Sequence, residues 1–165
     1  MLDPNKLSEG TGAREEHDQV TVGASGVAFA LHLYPGFAIG LVTNQVPRVG
    51  SLVWIAEPTY LTLPTVQDAV AVERWRWPVL IPALIMLGHG LGSIPVPPRL
   101  AELPLMRSNS FGKWQAVQYV ALPDGRMSLR SLGPTDDRSL PLSWVMNEDS
   151  LRDRLVSGWS PEDTW

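Results

Sequence analysis

The residues of this chain that could carry acid–base chemistry are few and widely spaced. Of the three histidines, His17 lies in a polar N-terminal stretch, His32 in the alternating segment "VAFALHLY", and His89 between Gly88 and Gly90 after an apolar run. A catalytic site needs a nucleophile, a base and an orienting group, or two carboxylates, converging on one cleft. No spacing in this sequence assembles such a set, and the patterns "HExxH", "GxSxG" and "GxxxxGK[ST]" are absent. The glycines of "GHGLG" have the flavour of a phosphate loop, but "SIPVPP" follows where lysine, serine and a helix would be required. Asp136 and Asp137 in "TDDRS" are adjacent in a turn, so their carboxylates point apart, and no further carboxylates follow at metal-loop spacing; turn chemistry accounts for them. The absence of cysteine removes thiol nucleophiles, disulfides and cysteine metal sites together. The expectation is a protein that is not an enzyme, with no catalytic residues, no cofactor and no metal.

Charge chemistry that could bind a partner is more promising. The net charge is −4, with acidic residues in excess over residues 1–24 and 115–165 and a slight basic excess between them. This balance argues against nucleic acid and favours a basic protein partner, whose association an acidic face would accelerate. The acidic positions expected at the surface are Glu57, Asp68, Glu73, Asp136 and Asp137. Arg74 and Arg76 join them as partner-binding candidates, because in an extended "RWRW" the arginines lie on one face and Trp75 and Trp77 on the other.

The elements that must position these residues are short, because fifteen prolines and fourteen glycines are spread through the chain without a period. The first 24 residues read as a disordered polar leader with no apolar core of the kind a secretory signal needs. Residues 25–165 read as a single globular domain. In "GVAFALHLYPGFAIGLVTN", Phe29, Leu31 and Leu33 alternate with Ala30, His32 and Tyr34, and Pro35-Gly36 turns the chain back along Phe37–Val42. A third strand, Leu52–Ile55, ends before Pro58. Thr65 caps a short helix, Val66–Glu73, with Asp68 at the free amides of its first turn. A helical turn at Arg99–Glu102 interrupts a proline-broken extended segment. "KWQAVQYVALPDGRMSLRSLG" is a hairpin turning at "PDG". Asn147 caps an amphipathic helix that carries Leu151 and Leu155 and stops at Gly158. The fold class expected is α+β and β-rich, a curled antiparallel sheet or partial barrel with two or three short helices.

The segment "VERWRWPVLIPALIMLGHG" tests the membrane alternative. Residues 77–98 contain no charged side chain, a length that could span a bilayer. Five prolines and the glycines at 88, 90 and 92 break the hydrogen-bond ladder such a span requires. It is read as a strand leading into a short buried helix, Ala83–Leu87, and the two arginines are too few to track a nucleic-acid backbone. Seven tryptophans are read mainly as core anchors, each worth roughly 2–3 kcal/mol on burial, with Trp159 and Trp165 expected at the surface. With no membrane span and no export signal, a cytoplasmic location is expected.

Taken in order, the hairpin around "YPGFAIGLV", the strand "VGSLVWIAEP", the segment "GSIPVPPRLAELPLMRS" and a tryptophan-bearing hairpin resemble the bacterial polymorphic-toxin immunity proteins of the family numbered twenty-six. The resemblance covers about residues 26–120. "WRWP" and the C-terminal helix have no counterpart in that pattern. The resemblance implies a non-enzymatic cytosolic inhibitor that neutralises a cognate toxin domain by binding it. Two other readings stand beside it. One is an enzyme or small-ligand protein with a pocket lined by Trp54, Trp75, Trp77 and Tyr60, with His32 or His89 as its polar group. The other is a structural subunit of a secretion or phage-like assembly. The oligomeric state is left open by the sequence.

Overall fold

The structure, a computed structural model, describes residues 19–20, 25–82 and 86–163. The fold is α+β and strand-rich, built on antiparallel sheets that do not close into a barrel. Five strands form the principal sheet: β2 (Val27–His32), β3 (Phe37–Val46), β4 (Gly50–Tyr60), β5 (Trp75–Ile81) and β7 (His89–Ser93), in the order β5-β4-β3-β2-β7. A second sheet holds β8 (Met106–Ser110), β9 (Lys113–Ala121) and β10 (Met127–Pro134), in the order β10-β9-β8. The short strands β1 (Gln19–Val20) and β6 (Met86–Leu87) pair with each other. Three α-helices, α1 (Val66–Val70), α2 (Pro98–Ala101) and α3 (Glu148–Ser157), and a C-terminal 3-10 turn, Pro161–Asp163, complete the described chain.

The principal sheet is covered on both faces, which is why its central strands read as nearly continuous apolar runs. On one face Phe29, Leu31, Val53, Ile55, Val79 and Ile81 pack against Leu151 and Leu155 of α3. Asn147 caps that helix, accepting from the Ser150 amide at 2.8 Å, and Gly158 ends it in the left-handed region at φ 72°, where glycine carries no Cβ penalty. Arg152 fastens the helix to the sheet by donating from Nε to the His32 carbonyl at 2.6 Å while pairing with Glu148 and Asp149 on its own helix. The other face is divided. Ile39, Leu41 and Ala56 meet Ala69 of α1 and Leu100 of α2, whereas Val46, Leu52 and Leu80 meet Met106, Val117 and Tyr119 of the second sheet.

One segment after β10, a strap over residues 140–146, stitches the two sheets together. Leu142 bridges Arg107 in β8, with the Arg107 amide donating to Pro141 O at 2.8 Å and the Ser143 amide to Arg107 O at 3.0 Å. Val145 bridges Leu80 in β5, and the Met146 amide donates to Leu80 O at 2.7 Å. An edge strand of each sheet is thereby given partners for backbone groups that would otherwise lie open.

Several sequence expectations change. β4 does not stop before Pro58 but runs through it to Tyr60. The helix after Thr65 ends at Val70 rather than Glu73, although its capping box forms as expected, with the Asp68 amide donating to Thr65 Oγ1 at 3.3 Å and the Thr65 amide to Asp68 Oδ2 at 2.7 Å. A helix over Ala83–Leu87 is not observed where it can be assessed: Met86 and Leu87 are extended and paired with β1, and residues 83–85 lie outside the described residues. The leader likewise lies outside them, apart from β1.

The two tryptophans of "WRWP" do not share a face. Trp54 pairs with Pro78 and Ala56 with Trp75, so β5 carries one extra residue opposite Ile55. That bulge reverses the alternation, sending Trp75 into the cluster beneath α1 and Trp77 into the cluster beneath α3. Trp159 is not exposed: its ring stands edge-on to Trp77 at 5.3 Å, beneath the Arg154 guanidinium at 4.2 Å. Trp144 is the exposed one, at 40%, and Trp165 lies outside the described residues.

Candidate functional site

The far end of β4 is where the sequence-selected charges gather. Between Ala38 and Gly40 the β3–β4 register shifts so that Ala56, Glu57 and Pro58 bulge out of the ladder. A proline is tolerated in a strand at such a point because no ladder amide is demanded of it. The bulge on β5 falls beside it, and beyond both bulges Thr59 and Tyr60 pair again with Ala38 and Phe37 of β3. Arg76 grips the displaced backbone: its Nε and Nη2 both donate to the Glu57 carbonyl, at 3.3 and 2.8 Å. The Glu57 amide in turn donates to Arg74 O at 2.9 Å.

The result is an open cleft of about 640 Å³ between β4, α1 and the link into β5. Glu57, Thr59 and Tyr60 form one wall, Asp68 and Val72 another, and Glu73 and Arg74 the lip. Three acidic residues and one arginine thus line the cleft. Among the described residues no ion pair engages Glu57, Glu73 or Arg74, and all three are exposed. Asp68 is held in place by the Thr65 cap. Burial, and then the negative charge of Asp68, push the Tyr60 phenol above its ordinary pKa. Its hydroxyl therefore stays protonated, and the ring forms a neutral wall beside carboxylates. An aromatic surface edged by carboxylates is suited to a cation, a lysine or arginine side chain above all, because the ring face attracts it and the carboxylates accept its hydrogens.

Of the seven candidate partner-binding residues, Glu57, Asp68, Glu73 and Arg74 line this cleft and Arg76 braces it. Asp136 and Asp137 are not part of it; they follow β10. There Asp137 Oδ1 accepts from the Ser139 hydroxyl at 2.6 Å and the Ser139 amide at 3.0 Å, the turn chemistry read from the sequence. Those bonds, the hydroxyl's most of all, and the nearby Arg107 charge hold its carboxyl below the usual range against a smaller opposing cost of desolvation.

The four aromatic residues of the alternative pocket do not form one lining. Trp54, Trp75 and Tyr60 share a cluster under α1, while Trp77 lies on the opposite face of the sheet. The two histidines meet elsewhere. Phe37 stacks on His32 at 4.8 Å and stands edge-on to His89 at 6.2 Å, with Tyr34 against His32 at 4.2 Å. Among the described residues no group of three histidine or carboxylate side chains comes together as a metal site, and no helix is long and apolar enough to cross a membrane.

Sequence reasoning missed Arg107, which is fully buried. Its guanidinium carbon lies 4.4 Å from the Trp114 ring centroid, and its nitrogens donate to the carbonyls of Leu140 and Pro161. Nothing local in "LMRSNS" signals that burial; the covering segment is more than thirty residues away in sequence. Comparisons with protein-family models, with curated proteins and with solved structures return no match.

Proposed function

We propose that this chain is a non-enzymatic protein-binding module whose acidic cleft receives a basic side chain of a protein partner. The observation that carries the reading is the convergence of Glu57, from the end of β4, with Asp68 of α1 and Glu73 of the link into β5 on one cleft walled by Tyr60. A cationic group entering it would exchange water for carboxylates and an aromatic face. Exposed charges contribute more to the rate of encounter than to its lifetime. The tightness of the complex therefore rests on the apolar contacts around the cleft.

The partner class implied by the immunity-protein resemblance is a cognate toxin domain, with neutralisation by occlusion of its active site or substrate entry. The test is to inspect the neighbouring reading frame for a secreted protein with a toxic C-terminal domain and to co-express that domain with the full chain. Co-expression is expected to restore growth, and Glu57→Lys combined with Glu73→Lys to abolish the rescue while leaving thermal stability unchanged, since both side chains are exposed. Binding should also slow as salt rises. An arginine-containing peptide titrated into labelled protein supplies a measurement free of the toxin's identity, with shifts expected at Tyr60 and Val72. If charge reversal leaves both rescue and peptide binding intact, the acidic-cleft reading fails.

A further inference from the structure

At the opposite end of β4 from the acidic cleft, a second pocket of about 290 Å³ opens where the β3–β4 turn meets the β9–β10 turn. Its lining combines two arginines, Arg48 and Arg126, with Pro47, Leu122, Met127 and Ser128. We propose that this pocket binds an oxyanion carried on a short apolar stem, a carboxylate in particular, with Arg48 and Arg126 on the anion and Leu122 and Met127 beneath the stem.

Two features of the arginines support this. Arg48 is the third residue of the tight turn Val46–Val49, closed by the Val49 amide donating to Val46 O at 3.0 Å. Pro47 suits the second position, but the third demands positive φ and is ordinarily glycine. Arg48 holds φ 69° there, a conformation that disfavours any side chain with a Cβ. The local fold would thus be served better by glycine, and what arginine adds is a guanidinium at the pocket. Arg126 comes from a different sheet. Asp124 receives its Nε at 2.5 Å and its amide at 3.1 Å, which orients the guanidinium, and among the described residues its terminal Nη atoms and the Arg48 guanidinium have no protein partner. Asp124 offsets one of the two charges, so the pocket keeps a net positive charge over an apolar floor; Met127 packs against the buried cluster between the sheets. A guanidinium pair favours an oxyanion. The apolar floor favours one that brings carbon with it.

The test is a titration of isotope-labelled full-length protein with hexanoate and, separately, with inorganic phosphate at constant ionic strength. Hexanoate is expected to give saturable shifts at the side-chain NH signals of Arg48 and Arg126 and at the Met127 methyl. Arg48→Gly is expected to abolish that response while leaving the melting temperature equal or higher, because glycine fits the positive φ. This separates loss of the site from loss of the fold. Arg126→Gln should abolish it as well. Saturation by phosphate alone with no response at Met127 would overturn the apolar-stem assignment, and non-saturable shifts, or shifts that survive Arg48→Gly, would overturn the site. Neither outcome bears on the acidic cleft, whose residues are not shared.

Discussion

Arg107 lies over Trp114 with its guanidinium carbon 4.4 Å from the ring centroid, buried between the second sheet and the chain that crosses it. It also donates to the carbonyls of Leu140 and Pro161, so one side chain holds the strap and the C-terminal turn on β8. Arg107→Ala would leave a cavity and buried carbonyls without donors, and a loss of about 2–5 kcal/mol is expected, read from the urea midpoint. Arg107→Lys should recover little, because an ammonium cannot lie flat on the indole and span two acceptors.

Gly40 faces Phe29 across the β2–β3 ladder, and a Cβ there would come 2.3 Å from the end of the Phe29 ring, which is fully buried. Gly40→Ala is therefore expected to destabilise the protein by about 1–3 kcal/mol through overpacking. Adding Phe29→Leu should restore part of that loss, a non-additivity that thermal or urea unfolding of the two single variants and the double variant would expose.

The strap predicts a pattern of hydrogen exchange. The amides of Arg107, Ser143 and Met146 each donate to the backbone of another element, so they should exchange as slowly as those of β3 and β4 rather than as loop amides. Met146→Pro removes the donor to Leu80 and should accelerate exchange along the β5 edge that the strap covers, with the Arg107 and Ser143 amides less affected.

On the acid side, the Asp137 carboxyl should titrate below its ordinary value of 3.8, held there first by the Ser139 hydroxyl bond. A carboxyl whose pKa is depressed by folding contributes stability that is intact above its unfolded pKa and lost as pH falls through the folded one. Ser139→Ala should raise the Asp137 midpoint toward 3.8, as followed by carboxyl carbon shifts.

On the alkaline side the sign reverses. Burial raises the phenols of Tyr60 and Tyr119 above 10.0, with Asp68 adding to the effect at Tyr60 alone. Folding favours the neutral phenol, so this contribution is present below pH 10 and lost as pH rises through the raised values. Asp68→Asn should lower the Tyr60 titration and leave that of Tyr119 unmoved, measured by phenolate absorbance.

Local pattern was enough for elements whose signal is local. The first hairpin, the Thr65 capping box, the "PDG" turn and the Asn147-to-Gly158 helix all stand where residue type and spacing put them. The acidic candidates were legible as charges, since solvated carboxylates are conspicuous in a chain with so few charged residues. Pro58 inside an apolar-to-polar stretch was the available sign of a bulge, and it read as a strand end instead. The alternation of "RWRW" misled because one extra residue in β5, set by its pairing with β4, inverts the face of everything before it.

By itself the sequence determined the strand-rich α+β class, the caps and turns, and the acidic character of the surface, because each follows from backbone preference, side-chain period or charge within a few residues. Tertiary structure alone decided which faces the tryptophans occupy, that Arg107 is buried, and which charges share a cleft. The tryptophan faces and the cleft depend on register shifts between β3, β4 and β5, and the burial of Arg107 on a segment that returns from more than thirty residues away, neither of which residue type and period reveal.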